Sequence, residues 1–189
     1  MDESTKKYRG QMTEWADIME GHILPDWDDL PQLELYMDQV VILAAQYMSH
    51  LGPMLGEEKP VTPAMINNYV KMGLIAPPVK KRYRRSHLAC IIIICLLKRS
   101  LTMAAIQKLM PPHMTEQEVE HLYRSFRRNR SIAIEHVVKQ VHDWDGEIFR
   151  SDEDDDDAAF VIRLAVMANL FKTSAEKLVG ASPDPKDRR

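Results

Sequence analysis

Ten consecutive apolar residues, Leu88 to Leu97, constrain this fold more than any other segment of the chain. A membrane-spanning helix needs roughly 20 such residues, so this run is too short to cross a bilayer. A helix that is apolar nearly all round is instead typical of the centre of a domain. Because Ser86 is a suitable N-cap residue, we predict a buried central helix from His87 to about Arg99.

Amphipathic patterns and capping residues on both sides of this run predict further helices. Leu33 to Leu51 repeats apolar residues at steps of three and four, which places them on one helical face. Thr62-Pro63 is a favourable N-cap and first-turn pair for a second helix, which should end at Gly73. Thr102 caps a short helix, Met103 to Met110. The sequence therefore predicts an all-α fold.

The two ends of the chain are more polar. The first 32 residues predict a polar lead-in with one short helix, about Met12 to Glu20. Thr115 to Glu118 is a capping-box pattern that opens a long helical region, which we expect to break at Asn129 to Ser131. We interpret the acidic run Asp152 to Asp157 as a solvated loop before a final helix, about Ala158 to Gly180. The alternative is that this run binds a cation or shields a basic face of the protein. The buried stripe of the long region is expected to be Val119, Leu122, Phe126, Ala133, Val137, Val141, Trp144 and Ile148.

Charge is distributed very unevenly along the chain, although the net charge is only −3. Residues 59–110 contain ten Lys or Arg and no Asp or Glu, so this stretch carries +10. Residues 1–58 contain three basic and twelve acidic residues, which gives −9. Such asymmetry indicates an anionic partner for the central stretch.

One polar face of the helix after Thr62 has side chains suited to that partner. Ala64, Asn67, Asn68 and Lys71 recur at steps of three and four, so they share a face opposite the apolar residues. Asn can pair with adenine through two hydrogen bonds in the major groove, and Lys can reach guanine or phosphate. A solvated face without a partner would show the same spacing, but the neighbouring basic segment favours contact with DNA.

That basic segment lies between Leu74 and Arg85. Pro77-Pro78 interrupts it, so it predicts a tight hairpin or wing rather than a helix. Five cations within six residues repel one another, which favours binding to phosphates over a basic turn without a partner. The cations are Lys80, Lys81, Arg82, Arg84 and Arg85.

The stretch Met65 to Pro77 resembles the recognition helix and exit of MerR-type regulators. In those proteins a Tyr near the helix end, here Tyr69, is followed by Gly-Leu-Ile, one variable residue and Pro. A basic wing with a Tyr, here Tyr83, comes next. The phrase Met-Ile-Asn-Asn-Tyr-Val-Lys, the doubled Pro and the Lys-Arg-Tyr wing are more closely similar to a bacterial family, domain of unknown function 1836, which is related to MerR. The resemblance covers roughly Pro25 to Met110.

The resemblance implies a MerR-like winged helix-turn-helix with a short basic wing, followed by an additional C-terminal helical segment. We therefore expect a polar lead-in at residues 1–32 and the winged helix-turn-helix domain at 33–110. Residues 111–180 should brace or dimerise the protein, and 181–189 should form a disordered tail. Asn67-Asn68 departs from the Arg-Tyr pair that MerR proteins usually carry before the matched Tyr.

These observations together predict a DNA-binding transcriptional regulator whose partner is double-stranded DNA. A homodimer through the C-terminal helices is expected, because paired recognition helices match pseudo-palindromic sites. The residues expected to contact DNA are Thr62, Ala64, Asn67, Asn68, Lys71, Lys80, Lys81, Arg82, Tyr83, Arg84 and Arg85.

Two other functions remain open. The chain could be a protein-interaction module that uses a MerR-like fold and a basic surface to bind an acidic protein. It could also sense a small molecule, with a pocket among the helices after Thr115 and with Trp144 and Phe149 as its lining.

Several features are expected to be absent. Without a Gly-rich phosphate loop, a nucleophile elbow or a zinc-protease helix, we expect no enzymatic activity and no cofactor. His87, Cys90 and Cys95 lack the spacing of a zinc site, so no metal is expected. The two cysteines lie in an apolar run and residues 1–20 are too polar for a signal peptide, which predicts a cytoplasmic protein without membrane contact.

Overall fold

The computed structural model describes residues 3–49, 61–143 and 157–182, which form seven helices and two isolated β-bridges. The prediction of an all-α fold is confirmed. None of the helices in these ranges is long and apolar enough to cross a membrane. The helices are α1 Glu3–Gly21, α2 Met37–Tyr47, α3 Pro63–Lys71, α4 Arg85–Leu97, α5 Met103–Leu109, α6 Glu116–His142 and α7 Asp157–Ala181.

The contacts divide the chain into two compact units. The α4 unit comprises the described parts of residues 24–127 and 175–189, and the α1 unit those of residues 1–23 and 128–174. The α4 unit extends beyond the predicted bounds of 33 and 110, because its core includes Leu24, Trp27 and Leu30 before them and Tyr123 after them.

Helix α4 forms the centre of the α4 unit, since every residue from His87 to Cys95 is buried. The predicted buried helix is therefore confirmed, but it begins two residues earlier than expected. Arg84 rather than Ser86 is its N-cap residue, because Nδ1 of His87 accepts the backbone N–H of Arg84 at 2.9 Å. The imidazole thus satisfies a free N–H at the helix start.

The other capping predictions are confirmed. Oγ1 of Thr62 accepts the N–H of Met65 at 3.3 Å, and Thr102 caps α5 in the same way at 3.2 Å. Before α6, the N–H of Thr115 donates to the Glu118 carboxylate at 2.7 Å, and the N–H of Glu118 donates back to Oγ1 of Thr115 at 3.3 Å. These bonds satisfy N–H groups that have no partner within the helix.

Helix α2 is shorter than predicted. It begins at Met37 rather than Leu33, because Leu35 and Tyr83 pair through two backbone hydrogen bonds of 2.8 Å that hold this stretch extended. Leu33 is 80% exposed and does not belong to the buried stripe. The described helix ends at Tyr47, and the predicted end at Leu51 falls outside the described residues.

Helices α1 and α6 are longer than predicted. Helix α1 covers Glu3–Gly21 rather than Met12 to Glu20, and its Ala16 is buried in a cluster with Val138 and Val141 of α6. Packing within the α1 unit stabilises a helix that its polar sequence alone would support only weakly. Helix α6 also continues without a break through Asn129 to Ser131.

The buried stripe of α6 differs in part from the prediction. Val119 and Val141 are buried as expected, but Ala133 and Val137 are exposed. Tyr123 and Val138 are buried, and Leu122 and Phe126 are partly buried. The final helix α7 lies within one residue of its predicted bounds at each end. Trp144, Ile148, Phe149, the acidic run before Asp157 and the tail from 183 lie outside the described residues.

Candidate nucleic-acid interface

Helix α3 has one buried and one exposed face, as its spacing predicts. Ile66 and Tyr69 are buried, whereas Ala64, Asn67, Asn68 and Lys71 are exposed. Within the described part of the chain, neither Asn67 nor Lys71 has a hydrogen-bond or ion-pair partner. The Asn68 amide donates only a weak hydrogen bond to the Met72 sulfur, at 3.6 Å. The polar groups on this face are therefore available to another molecule.

Both ends of α3 are fixed by local geometry. Thr62 uses its hydroxyl as the N-cap, so this side chain holds the helix start. At the other end Gly73 has φ of +75°, a left-handed conformation that other residues rarely adopt, and the Leu74 N–H donates to the Tyr69 carbonyl at 3.0 Å. Gln107 of α5 donates to the Met72 carbonyl at 3.4 Å. The exposed face is thus presented by a short but well-anchored helix.

A tight turn follows α3. Val79 and Arg82 form an isolated bridge, with the Arg82 N–H donating to the Val79 carbonyl at 2.9 Å. Between them, Lys80 and Lys81 are exposed and have φ of 50° and 62°. Two consecutive left-handed residues are typical of a type I′ turn, in which Asn-Gly is the favoured pair. The expected hairpin is therefore present as a two-residue turn that carries two lysines.

The arginines near this turn contact the protein's own side chains. The Arg82 guanidinium lies 3.7 Å from the centre of the Tyr36 ring, a cation–π contact. Arg84 forms an ion pair of 3.4 Å with Glu34, and both side chains are about half exposed. Neither contact was predicted, because Glu34 and Tyr36 lie in the stretch from Leu33 that the sequence predicts to be helical, whereas α2 begins at Met37.

Arg85 is partly enclosed by the α4 unit. Its Nε lies 3.1 Å from the Glu116 carboxylate, and its guanidinium lies 4.8 Å from the centre of the Trp27 ring. Arg85 therefore has a structural role within the α4 unit, and its charge is partly balanced there. In the described structure, Lys80 and Lys81 are exposed and, like Arg82, have no carboxylate partner.

Tyr83 is not on the surface, which corrects the expectation that it contacts DNA. The side chain is only 3% exposed, and its ring meets the His87 imidazole edge-on at 5.5 Å between centroids. Burial raises the pKa of the Tyr83 hydroxyl. Backbone pairing with Leu35 directs this ring into the core, where it supports the start of α4.

His87, Cys90 and Cys95 all belong to the core. Burial lowers the pKa of His87, although backbone carbonyls nearby act in the opposite direction. Both cysteines carry a thiol rather than a disulfide and are buried, and burial raises the pKa of Cys90 to about 12. Because metal ligation needs a thiolate, Cys90 is poorly suited to hold an ion here.

Comparison with known proteins connects this unit to one family. The family model described as "Domain of unknown function (DUF1836)" matches residues 25–126, just over half of the chain. No curated protein and no solved structure matches the chain. The matched range contains α2 to α5, the Lys80-Lys81 turn and the first part of α6. The chain therefore belongs to the DUF1836 family.

Proposed function

We propose that this protein is a non-enzymatic DNA-binding transcriptional regulator with a MerR-like winged helix-turn-helix. In this proposal α3 lies in the major groove, and the turn at Lys80-Lys81 acts as the wing and contacts the phosphate backbone. The observation that carries the proposal is the exposed face of α3, where Asn67 and Lys71 have no partner in the described structure and the helix is fixed at both ends.

The side chains on α3 suit base recognition. The Asn67 and Asn68 amides each offer a donor and an acceptor, the combination that pairs with the adenine edge. Lys71 can reach guanine or a phosphate, and the small Ala64 allows the helix start to approach the groove closely. We propose that a homodimer presents two such helices to a pseudo-palindromic site.

The turn supports the same proposal through its backbone strain. A non-glycine residue in the left-handed region costs about 1–2 kcal/mol, yet Lys80 and Lys81 both occupy it. Such strain is frequently retained at functional sites. Two exposed ammonium groups at the tip of a turn, in a stretch of sequence without carboxylates, are well suited to phosphate contact.

The second candidate is a module that binds an acidic protein. The observation that favours it is the pairing of Arg84 with Glu34 and of Arg85 with Glu116. These pairs leave fewer free cations for a phosphate backbone than the sequence suggests. The two candidates differ in base preference, which only the first requires.

The test is binding of the full chain to a randomised duplex pool, measured by fluorescence polarisation at two salt concentrations and followed by sequencing of the bound fraction. A DNA-binding regulator should enrich a motif with half-sites about one helical turn apart. An acidic-protein binder should bind DNA weakly and without base preference.

Substitutions on α3 and in the turn distinguish residues that recognise bases from residues that contact phosphates. Asn67→Ala and Asn68→Ala should each lower discrimination between sites by about 1–3 kcal/mol. Lys80→Ala and Lys81→Ala should weaken binding to all sequences, and each should reduce the salt slope by about 1. Arg82→Ala and Arg84→Ala should act in the same direction.

Lys172→Ala, at an exposed position on α7, is the matched control and should leave binding unchanged. If neither the Asn nor the Lys variants alter DNA binding, α3 and its turn are not the DNA-binding surface. If the wild-type chain does not bind DNA even at low salt, the proposal fails in favour of a protein partner.

A further inference from the structure

Three potential metal ligands meet in the α1 unit, away from the face of α3. Asp17 and Glu20 are three residues apart on α1, so their carboxylates lie on the same side of the helix. His142 is the last residue of α6. One oxygen or nitrogen from each of the three side chains lies within 4.8 Å of the others, and all three residues are exposed.

These groups are close together without being bonded to one another. Nε2 of His142 is 3.6 Å from Oδ1 of Asp17, which is too long for a hydrogen bond, and both side chains are well exposed. An exposed ion pair of this kind contributes little to stability. Within the described ranges, no hydrogen bond engages Asp17, Glu20 or His142. Their lone pairs are therefore available to a cation.

A cavity of about 690 Å³ lies at the same place and provides an independent indication of a ligand. Glu20 and His142 form part of its wall, together with Ile134, Val138 and Lys139. Its volume is within the range of about 300–1,000 Å³ that is typical of ligand sites. An ion held by the three side chains would have room for water or a small anion in its remaining coordination positions.

The ligand types indicate which cations fit. One imidazole and two carboxylates suit borderline divalent ions such as Zn²⁺ and Mn²⁺, whereas Mg²⁺ and Ca²⁺ prefer oxygen ligands alone. Zn²⁺ with ligands at about 2.1 Å places neighbouring ligand atoms roughly 3.4 Å apart in a tetrahedral site. The ligand atoms lie within 4.8 Å of one another, so this spacing requires them to approach by at most about 1.4 Å.

We infer that Asp17, Glu20 and His142 form a binding site for one divalent transition-metal ion at the edge of this cavity. The inference is independent of the proposed DNA binding. The sequence predicted no metal site, but that prediction rested only on the spacing of His87, Cys90 and Cys95. Asp17, Glu20 and His142 were not among the residues considered. The sequence gives no local spacing signal for this site, because its ligands come from two helices, α1 and α6, that are far apart in the sequence.

The test is calorimetric titration of the metal-free full chain with Zn²⁺, and with Co²⁺ monitored by its visible absorption. One equivalent should bind. Loss of a group that only supports a ligand typically costs 10–100-fold in metal affinity, so loss of a ligand itself should cost at least about tenfold. We expect that loss in Asp17→Asn, Glu20→Gln and His142→Gln.

Matched controls are available on the same helices. Glu14→Gln on α1 and His136→Gln on α6 replace exposed residues of the same types and should bind Zn²⁺ like the wild type. Zn²⁺ should also raise the melting temperature of the wild type and of both controls, and should raise that of His142→Gln by less. Because the three ligands are exposed, their variants should keep the wild-type circular dichroism spectrum.

Two results would overturn the inference. The first is a wild-type chain that binds neither ion at millimolar concentration. The second is a set of folded Asp17, Glu20 and His142 variants with wild-type affinity, since any bound ion would then lie elsewhere.

Discussion

At the residue scale, Lys80 and Lys81 combine backbone strain with exposed charge. If the strain is retained for function, relieving it should stabilise the protein at the expense of binding. The double variant Lys80→Asn/Lys81→Gly places the favoured pair in the turn, so its free energy of unfolding should rise by about 1 kcal/mol. Its DNA affinity should fall, with a salt slope smaller by about two. Chemical denaturation and polarisation measurements at several salt concentrations check both expectations.

The control for this variant is Lys80→Ala/Lys81→Ala, which removes the same charges but leaves two residues with a Cβ in the left-handed region. It should lose DNA affinity to the same extent without gaining stability. An Asn-Gly variant that is no more stable than the wild type would show that the turn is not strained.

His87 should make stability depend on pH. Its imidazole is buried and accepts the N–H of Arg84, and burial lowers its pKa from the usual value of 6.5. As the pH falls below about 6.5, His87 therefore takes up a proton in the unfolded chain before it does so in the folded chain. The contribution of His87 to stability is complete above that pH and declines as the pH falls through the lowered folded-state pKa.

His87→Gln tests this dependence, because Gln at the third helical position supplies a hydrogen-bond acceptor that does not titrate near neutral pH. Its free energy of unfolding, measured between pH 7.5 and 5, should decline less steeply than that of the wild type. His121→Gln, at an exposed position on α6, should keep the wild-type decline. Equal slopes for the wild type and His87→Gln would mean that His87 does not cause the decline.

At the scale of the element, the start of α3 should couple stability to the proposed recognition of DNA. Thr62 caps the helix that carries Asn67 and Asn68, so Thr62→Ala should cost about 1 kcal/mol of stability and weaken DNA binding. Thr62→Ser keeps a capping hydroxyl and should retain both. Denaturation curves and DNA titrations of the two variants provide the comparison.

The matched control is Thr102→Ala, which removes the equivalent cap from α5. It should lower stability by a similar amount while leaving DNA affinity nearly unchanged. If Thr62→Ala and Thr102→Ala affect DNA binding equally, general destabilisation rather than the position of α3 explains the loss.

Helix starts were predictable from sequence where the capping signal is local. Thr62, Thr102 and Thr115 each cap the helix that follows within three residues, so a short window contains all the information. The start of α2 was not predictable in this way, because it depends on the pairing of Leu35 with the distant Tyr83. That same pairing explains why Tyr83 is buried rather than exposed.

Interior helix breaks were harder to predict. The polar residues Asn129 to Ser131 have only weakly unfavourable helix propensities, and α6 continues through them. After this point Val138 is buried with Ala16 while the predicted Ala133 and Val137 are exposed, although Val141 is buried as predicted. The sequence pattern of α6 contains no information about α1, which supplies that packing.

At the scale of the whole molecule, the uneven charge and the two faces of α3 were evident from sequence, but the pairing of the cations was not. Arg84 and Arg85 look equivalent to Lys80 and Lys81 in a sequence pattern. The structure pairs both arginines with glutamates, Glu34 and Glu116, that lie outside the basic stretch. Only the folded chain separates the cations that stabilise the α4 unit from those that remain free for a partner.

Helix α7 presents large apolar side chains to solvent on more than one face. Ile162, Leu170 and Phe171 are 61%, 60% and 68% exposed. Several large exposed apolar side chains on one helix are suited to an interaction site. The proposed regulator needs a second copy of the chain to bind two half-sites, so we expect α7 to form the dimer interface.

Size-exclusion chromatography with light scattering should therefore give the full chain a mass of about twice 21.8 kDa. Leu170→Glu places a charge in the expected interface, which costs free energy unless the charge is paired, and should shift the protein to the monomer mass. Lys172→Glu, an exposed polar position on the same helix, should remain dimeric. Monomeric Leu170→Glu should still bind a half-site but should have lower affinity for the paired site, because the proposal assigns the base contacts to α3. A wild-type chain that is monomeric at micromolar concentration, both with and without DNA, would exclude α7 as a dimer interface.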